Sequence, residues 1–402
     1  MKVVMLSKAM VVGSYQRKAE LMAELAGAEL ELVVAVPPLW RDGSLERRLE
    51  RRHERGYRLV ETAIRRPGDF HLHRYPDLAA LLQREAPDLV HVDEEPYNLA
   101  TWLALRAARR RGARSLFFSW QNLSRRYPPP FRWFERAAYR WVDGAIAGSE
   151  TAARVLREKG YAGRLRVIPQ FGVDEDRFRP PAPDLRWPAE RSAPLVIGYA
   201  GRLVEAKGVD LLLKALARWD GALRRSGPEA GAAGTPDAGA WRLELVGQGE
   251  ARASLEAQAH ALGIEARIVW RPWLPSAEMP AFYQGLDLLV LPSRSTPSWI
   301  EQFGRVLIEA MACGTVCVGS DSGEIPHVLG NAGLTFAEGD AAALAALLER
   351  LAADPALGAR LAAAGRERVF ERFTMRRVAE ATLSVYRELV SAGAGGHDIG
   401  RS

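Results

Sequence analysis

Apolar residues fall along this chain in two arrangements: short unbroken runs, and longer stretches in which they recur every third or fourth position. The runs at 3–6, 31–36, 89–92 and 116–119 have the length and β-branched content of strands buried on both faces. Stretches 19–25, 99–111 and 131–141 carry helical spacing, and two further strands are expected at 144–148 and 166–169. Strand and helix alternating in this way predict a parallel sheet with helices on both faces, because each parallel connection needs a crossover.

A stretch from 179 to 194, with Pro180, Pro181, Pro183 and Pro188, has no periodicity and reads as a linker. The alternation then restarts: strand 195–200, helix 209–217, strand 242–246, helix 252–262, strand 268–270, the apolar run 286–291, an Ala- and Leu-rich helix over 341–368 and an amphipathic helix over 375–390. Between them, 227–239 is a low-complexity surface insertion with no visible chemistry. The expected organisation is α/β and doubly wound: a first domain over 1–180, a linker over 181–194, a second domain over 195–370, a last helix over 371–392 and a tail over 393–402. Ligands of such sheets lie beyond the carboxyl ends of the strands.

Composition changes this picture little. No apolar run reaches the ~18 residues of a membrane span, and Met1 to Ser7 read as a first strand rather than a signal peptide, so the cytoplasm is the expected location. Cys313 and Cys317 lack a third cysteine or clustered histidines and read as small buried residues, and the seven histidines show no metal spacing. Charge is more informative. Residues 1–180 hold 32 Lys and Arg against 23 Asp and Glu, and 101–140 hold ten Arg against the single acid Glu135. With 49 Arg and six Lys in the chain, part of this excess is compositional bias. The remainder, with Phe131, Trp133 and Trp141 interleaved, suits an anionic membrane surface or a phosphate-bearing acceptor, or equally a solvated face opposing acids elsewhere.

The chemistry concentrates around position 300, in Glu301-Gln302-Phe303-Gly304-Arg305-Val306-Leu307-Ile308-Glu309-Ala310-Met311-Ala312-Cys313-Gly314. If Gly304 opens a helix and Gly314 closes it, Glu309 stands about one and a half turns inside while Glu301 stays in the loop before it. The helix's positive end near Phe303 and Gly304 suits an anionic group such as a phosphate, and two acceptor-only carboxylates beside a phosphate site suit a ligand that also carries hydroxyls. A nucleotide sugar has both; an ordinary amphipathic helix with solvated glutamates is the alternative on spacing alone.

Upstream, Tyr199-Ala200-Gly201-Arg202-Leu203-Val204-Glu205-Ala206-Lys207-Gly208 ends a strand at a glycine, with Arg202 and Lys207 flanking the loop before a helix, a pattern that fits a diphosphate cradle needing no metal. Gly247-Gln248-Gly249 is a G-x-G turn without the third glycine of a dinucleotide fingerprint, and no G-x-x-x-x-G-K-[ST] occurs, which lowers the case for a dehydrogenase or a P-loop kinase.

Together G-R-L-x-x-x-K-G-x-D at Gly201 to Asp210, G-x-G at Gly247, D-L-L-V-L-P-S at Asp287 to Ser293 and E-x-F-G-x-x-x-x-E-A-M-A-x-G at Glu301 to Gly314 resemble the group 1 glycosyltransferases of family 4. The resemblance is close from 195 to about 330 and looser in the first half, through the segments at 90–96, 145–149 and 167–174. It implies the GT-B fold, two Rossmann-like domains facing across a cleft, with the last helix crossing back to pack on the first domain. It also implies retaining transfer of a hexose from a nucleoside diphosphate sugar, without metal or other cofactor, to a glycan or lipid-linked acceptor, with no nucleic-acid partner. By the same resemblance Arg202 and Lys207 hold the donor diphosphate, Glu309 accepts from ribose hydroxyls and Glu301 contacts the transferred sugar, these making Arg202, Lys207 and Glu301 the catalytic set. Gly13, Gly201, Gly247, Arg271, Phe303, Gly304, Arg305 and Val306 complete the implied donor site, the base seated near Trp270 to Trp273.

The sequence also departs from the family. Where many relatives carry a histidine in a first-domain loop, this chain has Ser119-Trp120-Gln121-Asn122; the early glycine loop has Gly13 alone; Pro272 stands at a position usually Gly; and His327 stands at a position usually Glu. Acceptor-side candidates are Glu94, Glu95, Tyr97, Trp120, Gln121 and Asn122, although Glu94-Glu95 before Pro96 also reads as a solvated turn. Two other readings stand beside the leading one: a soluble-acceptor transferase of the glycogen or sucrose synthase type, and a nucleotide-binding interaction protein on a decayed transferase scaffold.

Overall fold

A computed structural model describes residues 1–43, 45–180, 187, 194–226 and 241–394. The chain divides into two compact units, Met1–Gly172 with Met375–Ser402, and Val173–Thr374. Most of the expected linker 181–194, the insertion 227–239 and nearly all of the expected tail lie outside the described residues.

The first unit is built on β1 (Lys2–Leu6), β2 (Glu31–Val36), β5 (Arg58–Glu61), β6 (Leu89–Val92), β7 (Arg114–Ser119), β8 (Gly144–Ala147) and β9 (Arg164–Val167), with an outlying hairpin of β3 (Leu39–Asp42) and β4 (Leu45–Arg48). The seven strands pair in parallel in the order β5-β2-β1-β6-β7-β8-β9. Alternate residues of each strand serve opposite faces, as a pleat requires. Val3, Met5, Val34 and Phe118 pack with the helices Arg17–Ala26 and Met375–Ala394, while Val4, Leu6, Val33 and Phe117 belong to the layer under the helices Leu78–Glu85, Leu99–Arg110 and Glu150–Glu158. Covering both faces is what makes the strands continuously apolar.

The second unit repeats the scheme with β10 (Leu195–Ala200), β11 (Trp241–Val246), β12 (Ile268–Arg271), β13 (Leu288–Leu291), β14 (Val316–Ser320) and β15 (Leu334–Phe336), all parallel, in the order β12-β11-β10-β13-β14-β15. In both sheets the strand order reverses once, between β1 and β6 and between β10 and β13, and loops leaving the two strands at such a switch part to leave room for a ligand.

Three local differences from the sequence pattern have physical reasons. The single helix expected over 341–368 is two, Ala341–Ala353 and Pro355–Arg372, because the Asp354 carboxylate accepts from the Leu357 N–H at 2.9 Å and Pro355 brings no N–H to continue the first helix. The hairpin β3–β4 and the edge strand β5 are largely exposed and so lack the apolar signature used to find strands. Among the described residues, no helix is long and apolar enough to cross a membrane.

The last helix is tied into the first unit by one buried polar contact, from His91 on β6 to the Tyr386 hydroxyl, 2.7 Å from Nδ1. Burial, then the nearby Lys18 ammonium, hold His91 well below its ordinary pKa, so the ring is neutral. Its Nε2 has no partner among the described residues. Tyr386→Phe therefore strands a second buried ring nitrogen, and urea unfolding at pH 7 is expected to show a loss of about 1–3 kcal/mol; an unchanged midpoint would refute the role assigned to this bond.

Candidate active site

β10 and β13 are neighbours, so the loops that leave their carboxyl ends lie side by side. The β10 loop continues the sheet ladder for a few residues: the Gly201 N–H donates to the Val246 carbonyl at 3.0 Å and the Leu203 N–H to that of Gln248 at 2.8 Å. A Cβ at Gly247 would fall 1.9 Å from the Gly201 oxygen, and one at Gly249 would fall 2.2 Å from the Leu203 oxygen. The G-x-G turn thus serves a close approach of two backbones. At the end of the same loop Gly208, at φ +66°, sits where a Cβ would lie 1.9 Å from the Pro292 oxygen, which brings Lys207 against the end of β13.

There the Lys207 ammonium lies 2.6 Å from Oε2 of Glu301 and 4.7 Å from the centre of the Trp299 ring. Ser293 donates its hydroxyl to the same Oε2 at 2.7 Å. The Glu301 carbonyl accepts from the Glu324 N–H at 3.2 Å, and a side chain at Gly323 would collide with it. Glu301, 6% exposed, is therefore fixed by backbone and side chain alike.

Gly304, at φ +76°, caps the helix Arg305–Ala312, and Gly314, also at +76°, follows its end. Glu309, 8% exposed on that helix, accepts from the Tyr283 hydroxyl at 2.8 Å and from Arg305 Nε at 2.9 Å. Burial, then the Glu309 charge, raise the Tyr283 phenol and keep it a donor. Phe303 packs edge-on against Phe373 at 5.7 Å, and Val306 is partly buried. The first-turn N–H groups here have no carbonyl a turn earlier in the helix and form its positive end.

Arg202 stands exposed, its carbonyl accepting from the Tyr199 hydroxyl at 2.7 Å, and among the described residues its guanidinium makes no ion pair. Arg271 instead bonds Glu244 of the adjoining strand, its Nε and a terminal nitrogen each 3.0 Å from Oε2, while Arg242 takes Oε1 at 2.9 Å. Gly201, Lys207, Gly247 and Glu301 are thus linked through the loops beyond β10, β11 and β13, with Phe303 to Glu309 following Glu301 directly.

Gly13 belongs to the first unit, buried beneath Glu50 and Arg52; its N–H lies 3.3 Å from a Glu50 oxygen, and a Cβ would come within 2.7 Å of Arg52. The switch between β1 and β6 gathers the acceptor-side candidates. Glu94, 2% exposed, holds Lys8, His73 at 3.0 Å and Tyr75 at 3.0 Å, so it is not in a solvated turn. Burial alone would raise its pKa, but the Lys8 ammonium and His73 hold it at about 2. Glu95 is partly exposed and accepts from the Ser119 hydroxyl and the Trp120 N–H, both at 2.7 Å; burial nevertheless pushes it to about 7. Tyr97 lies tilted against Tyr127 with centroids 4.1 Å apart, and Gln121 donates to the Tyr127 hydroxyl at 3.2 Å. Trp120 covers Gly148 and donates to Gln170 at 2.9 Å; Asn122 lies partly buried in the same loop.

Two family models match the chain, Glycosyl transferases group 1 over residues 184–368 and Glycosyltransferase Family 4 over 19–177. The chain belongs to the group 1 glycosyltransferases of family 4. It is 31% identical over 224 residues to the GDP-mannose-dependent alpha-(1-6)-phosphatidylinositol monomannoside mannosyltransferase of Mycolicibacterium smegmatis, the match covering 54% of each chain. The chain thus spans about half the length of that relative. Its fold is similar to sucrose-phosphate synthase from Thermosynechococcus elongatus, with a TM-score of 0.68 at 21% identity over 98% of this chain and 100% of that one. It is similar too to Anabaena Alr3699/HepE in complex with UDP-glucose, with a TM-score of 0.65 at 20% identity over 97% and 100%. At such identities the likeness speaks to the fold, the two-domain Rossmann-like GT-B architecture.

In this family 4 chain the supporting residues were the ones hidden from sequence reasoning: Ser293, Trp299 and Tyr283 around the two glutamates, and Lys8, His73, Ser119, Tyr127 and Gln170 in the first unit. Ser119, Ser293 and Gln170 stand inside segments that the sequence singles out, but nothing in their spacing says which way they point.

Opposite pKa shifts at adjacent residues give opposite pH signatures. Glu95, raised from 4.5 to about 7, contributes stability that is full below 4.5 and declines as pH rises to 7, whereas Glu94, lowered from 4.5 to about 2, contributes stability present above 4.5 and lost as pH falls toward 2. In urea unfolding from pH 4 to 8, Glu95→Gln is expected to gain on the parent as pH rises, and Glu94→Gln to be destabilised most at neutral pH. Parallel curves for both variants would contradict this assignment.

Proposed function

We propose that the chain is a retaining, metal-independent transferase that moves a hexose from a nucleoside diphosphate sugar to a glycan or lipid-linked acceptor. The observation that carries the reading is Lys207, seated between Glu301 and Trp299 at the switch of the second sheet, with Arg202 exposed in the same loop after β10. In this reading Arg202 forks onto the diphosphate oxygens and Lys207 adds a point charge, both opposing the negative charge that grows on the leaving group as the sugar acquires oxocarbenium character. The positive end of the helix Arg305–Ala312 acts in the same sense. Glu301 keeps Lys207 in place and offers acceptor oxygen to sugar hydroxyls. Glu309 is held on one oxygen by buried Tyr283 and on the other by Arg305, whose side chain is 48% exposed, and in this reading it accepts from ribose hydroxyls on that outer side. Arg271, paired to Glu244, shapes the rim near the base.

The names of the relatives agree with this donor class: one is a GDP-mannose-dependent enzyme and one was solved with UDP-glucose. Retention of configuration and independence from metal rest on the motif resemblance and on the two cations that take the diphosphate's charge.

A thermal-shift screen of nucleotide sugars is expected to find one that raises Tm, since a ligand of the folded state alone stabilises it. With that donor, Lys207→Ala and Arg202→Ala should each lower kcat/KM by about a hundredfold or more, Arg202→Ala at nearly unchanged Tm and Lys207→Ala with a lowered Tm because it strands the buried Glu301 carboxylate; Glu309→Gln should chiefly raise KM, and Glu301→Gln should chiefly lower kcat. Unchanged turnover in both cation variants would end the diphosphate assignment. Transfer is expected to survive EDTA, and NMR of the product should show the donor's anomeric configuration; loss of activity with chelator, restored by a divalent ion, would overturn metal independence.

A further inference from the structure

The helices Leu99–Arg110 and Phe131–Trp141 pack together and present a surface unlike the rest of the first unit. Arg132, Arg136 and Arg140 recur every fourth residue, forming one exposed row along the second helix. Beside it Trp133 is 59% exposed. On the first helix Arg106 lies 5.3 Å over Trp102 and Arg109 lies 5.6 Å over Trp141, while Trp102 meets Phe134 at 5.2 Å.

The charge on this face is uncompensated. Arg106, Arg109, Arg110, Arg132, Arg136 and Arg140 enter no ion pair among the described residues, and the one acid of the two helices, Glu135, is buried against Lys159. Elsewhere on the unit arginines find acids readily, as with Arg58 and Glu85, Arg376 and Glu24, or Arg387 and Glu29. A merely solvated face would not need bare cations and an outward indole side by side. Guanidinium rows meet lipid phosphates, and indole settles at the headgroup level.

An aromatic strip also leads inward from this face. Phe131 lies 4.8 Å from His71, His71 lies 5.4 Å from Tyr97, and Tyr97, two residues on from Glu95 in the chain, meets Tyr127 at 4.1 Å; burial, then the Glu95 charge, raise the Tyr97 phenol.

We propose that this face docks on an anionic lipid bilayer, with the row Arg132, Arg136 and Arg140 on lipid phosphates and Trp133 in the headgroup layer, so that a lipid-linked acceptor reaches Glu95 along the aromatic strip. The purpose of docking rests on the acceptor reading above; docking itself is measurable without turnover.

The test is sedimentation of the full chain with phosphatidylcholine vesicles, with and without phosphatidylglycerol. Binding is expected only with the anionic lipid, weakening as salt rises. Reversing Arg132→Glu, Arg136→Glu and Arg140→Glu together should lower partitioning at least about tenfold. Trp133→Ala should lower it about threefold or more and reduce quenching of tryptophan fluorescence by brominated lipid. Should the triple reversal lower Tm, the pair Arg132→Gln and Arg136→Gln, at exposed positions outside any ion pair among the described residues, is expected to move partitioning in the same direction. Equal partitioning of parent and folded variants, or binding to neutral vesicles alone, overturns the proposal. So does binding that soluble polyphosphate abolishes while Trp133→Ala changes nothing, which marks a site for a dissolved polyanion. Vesicle binding without any sugar transfer would refute the transferase reading and leave the docking face standing.

Discussion

The second unit's candidate site depends on keeping one ammonium between a carboxylate and an indole face. Lys207 and Glu301 are far apart in sequence, and they meet because β10 and β13 are adjacent in the sheet. Three supports fix the meeting: Gly208 lets the lysine turn touch the Pro292 carbonyl, Ser293 donates to the same Glu301 oxygen, and Gly323 leaves room for the Glu301 carbonyl. Little net stability is expected from such a pair, because desolvation offsets most of the attraction in a poorly hydrated site. What the pair achieves is placement: a cation held with few rotamers between Glu301 and the Trp299 ring.

The first unit solves a similar problem with the same topology and a different outcome. Lys8 follows β1 and Glu94 follows β6, so there too a lysine from the loop after the unit's first strand meets a glutamate across the switch point. Here His73, Tyr75 and Asn98 close over the carboxylate and its side chain is fully buried. The pair thereby becomes a strut that sets the direction of the chain at the next residue. Glu95, one position on, is left partly exposed on Ser119 and the Trp120 backbone, with its proton affinity raised.

Both doubly wound sheets and the bounds of the helix behind Gly304 were legible in the sequence, because continuous apolar strands, helical spacing and flanking glycines are local signals. The divided helix at Asp354 was legible in principle, since an aspartate before a proline is a start signal, but the Ala- and Leu-rich run on either side masked it. Partners across the sheet were not legible. Arg271 was expected at the donor site from the family resemblance and lies on Glu244, and Trp120 stands in the loop where many relatives carry a histidine and lies over Gly148. Each outcome is decided by residues tens of positions away, whose register is set only when strands pair.

One signal was available and easily discounted. In a chain with 49 Arg, a basic residue that is lysine stands out, and there are six: Lys2, Lys8, Lys18, Lys159, Lys207 and Lys214. Four of them sit in confined polar networks: Lys8 on Glu94, Lys18 on the Gln170 carbonyl beneath Phe171, Lys159 among Glu135, Gln121 and Tyr127, and Lys207 on Glu301. A compact ammonium directs three donors within a small volume and accepts an aromatic face as part of its shell, whereas the longer planar guanidinium needs in-plane acceptors and more room. The exposed face of the first unit shows the converse, since there the flat guanidinium groups of Arg106 and Arg109 lie over Trp102 and Trp141 at an open surface. The division of labour between the two cations follows from this geometry, and it separates confined polar sites from open faces in the folded chain.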